Sequence, residues 1–237
     1  MKIDLKRTIN LIPFFFSFLI IMIAILSWLG SIWNLFGEGC RNLIDGDGLR
    51  WFVANFMKNI KQAPWEYIFL ITLTISVVKE AEILEFYKKT MSLKRKRAYM
   101  IVIALTVIVL ALVIIVNLLP GNILLTAFGR YGNSPLQNGL IPLLALFLVF
   151  VSLVFGYTSG RFYGFEDMSK ALSALMAKIT DYLVTLIVAA QLAAVVEFAF
   201  GDLPLWQNNA ALINALLHCL LFYLPWGLHV ICAYRRI

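Results

Sequence analysis

Long apolar runs alternate with short polar connections along the chain of 237 residues. A helix that crosses a bilayer core of about 30 Å needs about 20 mostly apolar residues. The pattern predicts six membrane-spanning helices, over residues 11–35, 64–86, 98–119, 138–157, 178–200 and 210–233. Because the apolar runs are continuous rather than alternating, they exclude a β-barrel. The predicted fold is an all-α polytopic membrane bundle, with residues 1–237 forming a single transmembrane domain.

Residues 48–61 follow a different pattern, since their apolar side chains recur at helical spacing opposite polar ones. The apolar set is Leu49, Phe52, Val53, Phe56, Met57 and Ile60, and the polar set is Arg50, Asn55, Lys58, Asn59 and Lys61. This pattern predicts an amphipathic helix that lies in the headgroup region or against the bundle. The preceding residues 45–48, Asp-Gly-Asp-Gly, lack the further ligands of a calcium loop, so they predict a turn and a helix cap.

A polar, glycine-rich connection joins the fourth and fifth spans. Gly156 and Gly160 form a GxxxG pair, which is typical of close packing. The helix that starts near Phe165 carries acidic residues in its first turn, where the helix dipole favours them. We expect it to begin amphipathic and to continue into the bilayer as the fifth span.

The composition agrees with a membrane protein, because 62% of the residues are hydrophobic, 14% are charged and the mean hydropathy is +0.87. The three cysteines, Cys40, Cys219 and Cys232, show no paired spacing, and no His/Cys cluster accompanies them, so no metal site is expected. The sequence also lacks a nucleophile–base set or a pair of carboxylates placed for catalysis. We therefore expect neither an enzyme nor a cofactor.

The net charge of +7 would suggest nucleic-acid binding in a soluble protein, but its distribution favours membrane topology. With six spans and the N-terminus inside, the inner segments hold 15 of the 20 Lys and Arg residues and the outer segments hold 5. The positive-inside rule then places both termini in the cytoplasm, and in a bacterium the chain lies in the inner membrane. The basic residues 88–97 suit anionic lipid headgroups, so the lipid bilayer is an expected partner and nucleic acid is not.

Polar groups inside a membrane span are costly and therefore mark candidate functional positions. The candidate substrate-binding residues are Lys79, Glu80, Glu82, Lys178, Asp181, Gln191, Asn214 and His218.

Structural alternatives remain open for most of these candidates. Lys79 and Glu82 are three residues apart and could belong to a structural cluster at the membrane boundary. Lys178 and Asp181 could form an interfacial pair in which the lysine snorkels. The last two candidates, one turn apart, could form a proton relay or a hydrogen-bonded contact between helices.

Several polar, glycine and proline positions resemble the AbgT family of aminobenzoyl-glutamate transporters. They run from Ser134-Pro135 through Ile141-Pro142-Leu143, Gly156, Gly160, Asp167, Lys170, Tyr182 and Ala189-Ala190-Gln191. The resemblance recurs upstream in residues 42–51, Asn55, Lys58-Asn59 and Glu80. Together these segments cover about half of the chain, in the order of the family.

The resemblance implies a dimeric bacterial transporter, in which a scaffold forms the dimer contact and a core with two re-entrant hairpins and broken helices holds a small organic anion. It also implies coupling to a cation, H⁺ or Na⁺. Members of the family are about twice as long as this chain. The interval between residues 85 and 99, where the first hairpin would lie, is only a basic loop, and no Gly/Ser/Ala-rich tip follows Gln191. No position therefore matches the substrate contacts of the family.

These features lead to two hypotheses. In the first, the chain is a reduced or scaffold-only member of the family. It forms a homodimer and takes part in the transport of aminobenzoyl-glutamate or a related anion. In the second, it is a non-transporting scaffold or accessory subunit that mediates dimerisation or binds a partner. Transport requires a water-accessible polar cavity that reaches mid-membrane, whereas a scaffold requires a dry, closed bundle.

Overall fold

A computed structural model describes residues 5–35, 39–85, 92–118 and 135–235. The predicted all-α fold is confirmed, since the regular elements of these residues are helices. They are α1 (Leu5–Trp33), α2 (Gly46–Lys61), α3 (Trp65–Glu80), α4 (Leu93–Leu118), α5 (Pro135–Thr158), α6 (Phe165–Lys178), α7 (Asp181–Phe200), α8 (Pro204–His218), a π-helical turn (Cys219–Tyr223) and α9 (Leu224–Arg235). Residues 86–91 and 119–134 lie outside the described residues. The basic segment 88–97 was predicted to be a loop, but α4 already begins at Leu93. The next loop was expected to reach about residue 138, but α5 begins at Pro135.

Five segments of the described chain are long and apolar enough to cross a membrane: Thr8–Trp33, Leu93–Ile115, Gly139–Thr158, Asp181–Phe200 and Pro204–Tyr234. The protein is therefore a multi-pass membrane protein. They correspond to the first, third, fourth, fifth and sixth predicted spans. The second predicted span forms α3, which has 16 residues and is about 24 Å long. The count of six spans stays a prediction.

Helix α3 ends at Glu80, earlier than the expected continuation to residue 86. Glu82 has a φ angle of 56°, a left-handed conformation that stops the helix. The contacts that hold this turn come from Arg95 and Arg161, in later parts of the sequence.

The expected continuous helix from Phe165 through the fifth span is instead two helices, α6 and α7, which are separated at Ile179 and Thr180. The chain also divides here between two compact units, Met1–Ile68 with Lys178–Ile237, and Phe69–Ala177. The predicted single domain stays a prediction.

The first unit is built around α7, which packs against α1, α2, α8, the π-turn and α9. Ten of its 20 residues are buried, including Tyr182 and Gln191. The π-turn ends two residues before Pro225, and the hydroxyl of Tyr182 donates a hydrogen bond of 2.9 Å to the carbonyl oxygen of Phe222.

The second unit has its core between α4 and α5. Ala98 and Val102 of α4 pack with Val151 and Phe155 of α5. Gly156 contacts the ring of Phe162 so closely that a Cβ atom would overlap it. The predicted close packing at this glycine is therefore within one unit, against the loop that follows α5.

Candidate functional site

The start of α2 is fixed by the turn that precedes it. The amide of Gly46 donates a hydrogen bond of 2.7 Å to the Asp45 carboxylate, which confirms the predicted turn and cap. A Cβ atom at Gly48 would overlap the backbone oxygens of Asn42 and Leu43. A glycine at this position therefore lets the first turn of α2 pack directly against the loop that contains Asn42 and Leu43.

Helix α2 packs alongside α7 through two contacts at different levels. The ring of Trp51 stacks on that of Phe198 at 4.1 Å. Eight residues further along α2, Asn59 Nδ2 donates a hydrogen bond of 3.1 Å to Gln191 Oε1. Because the residue numbers rise on α2 as they fall on α7, the two helices run antiparallel.

The amide pair of Asn59 and Gln191 is buried in the protein, with exposed fractions of 2% and 4%. Gln191 Nε2 also donates a hydrogen bond of 2.8 Å to the backbone oxygen of Phe56. Both amides therefore have partners, as buried polar groups require. Gln191 lies at the middle of the 20-residue helix α7, so the pair lies near mid-depth of a segment that suits a membrane crossing.

Two adjoining cavities, of about 430 Å³ and about 320 Å³, open beside this pair. They share Gln62, Glu197 and Asn214, and we call them together the polar cleft. The larger cavity is also lined by Arg41, Trp51, Asn55, Lys58, Asn59, Ala194, Phe198, Gly201, Asp202, Trp206, Gln207 and Ala210. The smaller is also lined by Ala190, Ala193, Leu217, His218 and Phe222. The polar cleft thus extends from the C-terminal end of α7 to its middle.

An ion pair lies at the end of the polar cleft nearest the C-terminus of α7. Arg41 pairs with Asp202, and its guanidinium carbon lies 5.7 Å from the centre of the Phe198 ring. The amide of Arg41 also donates to the oxygen of Ala199, at 3.0 Å. Burial raises the pKa of the neighbouring Cys40 thiol, so this thiol stays protonated at neutral pH.

Two charged side chains, those of Lys58 and Glu197, line the polar cleft between the ion pair and the amide pair. Charges at membrane depth face water-filled cavities and mark substrate or ion pathways. Lys58, Asn59, Gln62 and Glu197 were not among the predicted site residues. The spacing of Asn55, Asn59 and Gln62, four and three residues apart, was the available signal, because it places three amides on one face of α2.

The predicted site residues fall into separate places. Asn214 and His218 line the polar cleft, and Gln191 is bound to Asn59 in its wall. Lys178 and Asp181 lie exposed at the other end of α7. Lys79, Glu80 and Glu82 belong to the second unit. Their roles in binding a substrate stay predictions.

In the second unit, arginine side chains enclose the turn after α3. Arg161 Nη2 lies 2.9 Å from Glu82 Oε1, and Arg95 Nη1 lies 3.6 Å from Glu82 Oε2. Arg95 Nη2 also donates a hydrogen bond of 2.6 Å to the backbone oxygen of Glu82, and Arg161 Nε donates one of 3.3 Å to that of Glu80. We call Glu82, Arg95 and Arg161 the turn cluster. Its geometry accounts for the early end of α3.

The polar cleft offers hydrogen-bonding amides, one lysine, one glutamate and indole rings, which are groups that can bind a small polar ligand. Within the described ranges, no group of three or more His, Cys, Asp and Glu residues is placed to hold a metal ion. The fold and the site define a multi-pass helical membrane protein with a polar cleft reaching the middle of a membrane helix.

Comparison with known families identifies the chain more closely. The model of the AbgT putative transporter family matches residues 75–217, which is more than half of the sequence. The chain therefore belongs to the AbgT transporter family, as the resemblance in the sequence indicated. The upstream similarity at residues 42–59 lies outside the matched region and stays a prediction. No curated protein and no solved structure matches the chain.

Proposed function

We propose that the protein carries aminobenzoyl-glutamate or a related small organic anion across the bacterial inner membrane, and that the polar cleft binds it. Membership of a transporter family supports transport as the activity. The observation that carries the proposal is the polar cleft itself, which reaches the level of Gln191 in the middle of α7. A dry scaffold would need no polar cavity at this depth.

The lining of the polar cleft suits an aromatic carboxylic acid. The ammonium group of Lys58 can pair with a carboxylate, and such charge-assisted hydrogen bonds are stronger than neutral ones. The indole of Trp206 offers an apolar surface for a ring. The amides of Asn55 and Asn214 can fix the orientation of the remaining polar groups.

The membrane topology and assembly form part of the same proposal. The excess of Lys and Arg in the segments assigned to the inside supports cytoplasmic termini, which would open the polar cleft toward the periplasm. A homodimer and coupling to H⁺ or Na⁺ follow the family. Glu197 and His218 are the groups in the polar cleft that could exchange a proton.

Uptake of labelled aminobenzoyl-glutamate into liposomes containing the purified protein tests this function. We expect uptake above that of empty liposomes, and a loss of about tenfold or more in Lys58→Gln, because a hydrogen bond to a charged group is removed. Lys94→Gln is the matched control, since Lys94 is an exposed lysine of α4 in the other unit. Absence of uptake by the unmodified protein would contradict autonomous transport and leave the scaffold hypothesis in its place.

A further inference from the structure

Helix α2 buries Asn59 against the protein and leaves a stripe of apolar side chains exposed. Leu49, Val53 and Met57 recur every four residues and form one stripe, with exposed fractions of 55%, 75% and 66%. The buried residues of this helix are Gly48 and Asn59. This orientation is the reverse of that in a surface helix of a soluble protein, which buries its apolar stripe.

The contacts of α2 with α7 give the depth of this stripe. Trp51 lies at the level of Phe198, near the C-terminal end of α7, and Asn59 lies at the level of Gln191. Seven residues of helix separate these two positions on α7, which corresponds to about 10 Å. Because α7 suits a full membrane crossing, α2 extends from one membrane boundary to near the bilayer centre.

At the C-terminal end of α2, the backbone oxygens of Asn59 and Ile60 accept hydrogen bonds from within the protein. Such internal partners are what a helix end inside a membrane requires. The amides of Gln62 and Ala63 donate to the oxygens of Asn59 and Ile60, at 3.1 and 3.3 Å. The indole Nε1 of Trp65 also donates to the Ile60 oxygen, at 2.8 Å. This end of α2 therefore does not depend on bulk water for these bonds.

We propose that α2 is a half-membrane helix whose stripe of Leu49, Val53 and Met57 contacts the acyl chains of one leaflet, while its opposite edge forms a wall of the polar cleft. We expect lipid to cover the stripe because the stripe lies at the same depth as α7, which is a membrane helix. A helix lying flat in the headgroup region would hold Leu49 and Met57 at equal depth.

Spin labels at single cysteines measure this depth directly. The variants are Leu49→Cys, Val53→Cys and Met57→Cys, each in a protein in which the three native cysteines are replaced by alanine and which is returned to liposomes. Collision rates with oxygen and with a water-soluble nickel chelate then give the depth of each label. We expect depth to increase in the order 49, 53, 57, with a difference of about 8–12 Å between the first and the last.

Lys58→Cys is the control, because its label should meet the nickel chelate in the polar cleft despite lying beside Met57. Equal depth at the three stripe positions would overturn the proposal in favour of a flat interfacial helix. Nickel access at all three would place the stripe in water. Labels that are immobilised and shielded from both reagents would show a protein partner, including a second copy of the chain.

A second measurement needs no substitution. A phospholipid with a photoreactive diazirine near the end of its acyl chain should attach to the peptide containing Val53 and Met57 after illumination of the native protein. Attachment only from a headgroup-labelled lipid would contradict the half-membrane placement. Neither experiment depends on transport, so the proposal can fail while the proposed function stands.

Discussion

Each of the two units contains a polar cluster, and the two clusters differ in charge and in burial. The amide pair of Asn59 and Gln191 is neutral, almost fully buried and located at the middle of a membrane helix. The turn cluster is ionic and lies at the end of α3, with its side chains 19–52% exposed. Charges lose more solvation than amides do when they are buried, so ion pairs suit the boundary and amides suit the interior.

The two clusters also differ in what they contact. The turn cluster forms hydrogen bonds to the backbone of the turn that it encloses, and that role explains its residues. The amide pair instead lies in the wall of the polar cleft, next to Lys58 and Gln62. Substitutions in and around the two clusters should separate the two roles, and their expected effects on stability decrease in the following order.

The largest effect on stability is expected at Gly48, where the first turn of α2 packs against the preceding loop. This contact positions α2 and therefore the amide pair. Gly48→Ala places a Cβ atom against backbone oxygens that cannot move aside, so the free energy of unfolding should fall by about 3 kcal/mol. Gly46→Ala is the matched control, because no atom lies within 4 Å of its Cβ position. Unfolding titrations in detergent measure both. Equal stability of the two variants would show that α2 is not held in this position.

The amide pair should show an intermediate effect with strong coupling between its members. Asn59→Leu or Gln191→Met leaves a buried polar partner unsatisfied, so each should lower the free energy of unfolding by about 1–3 kcal/mol. Gln191→Met should cost more, since it also removes the hydrogen bond from Gln191 Nε2 to the Phe56 oxygen. The double variant should cost less than the sum of the two. Strict additivity would mean that the side chains do not interact.

The smallest effect is expected in the turn cluster. Arg161 is half-exposed, so Arg161→Gln should lower the free energy of unfolding by less than about 1 kcal/mol. The loss should shrink further at high salt, because exposed charges are screened. The same titration at two salt concentrations measures it. A larger, salt-independent loss would show that the turn cluster is as sensitive as the amide pair, and the contrast between the two would disappear.

The sequence predicted much of this fold because its signals are local. Apolar runs located the membrane helices, and the periodicity of residues 48–61 located α2. The interior contacts were not local. Asn59 and Gln191 are 132 residues apart, and Arg161 reaches Glu80 across 81 residues. Apolar periodicity also could not show that α2 would bury Asn59 and leave Leu49, Val53 and Met57 exposed.

Composition alone favoured continuous helices at the end of α3 and before α7. The conformation of Glu82 is held by Arg95 and Arg161, and no pattern within α3 reports on those residues. Of the predicted site residues, Asn214 and His218 were placed on one helix face by their spacing, and they do line the same cavity.

Protection of a cysteine in the polar cleft tests the central claim most directly. Asn214→Cys, in a protein without its native cysteines, is treated in liposomes with a charged, membrane-impermeant thiol reagent. If the polar cleft is a water-accessible binding site near mid-depth, the thiol should react, and aminobenzoyl-glutamate should slow the reaction in proportion to its occupancy. A thiol that does not react, or one whose rate the ligand leaves unchanged at saturating concentration, would contradict the account.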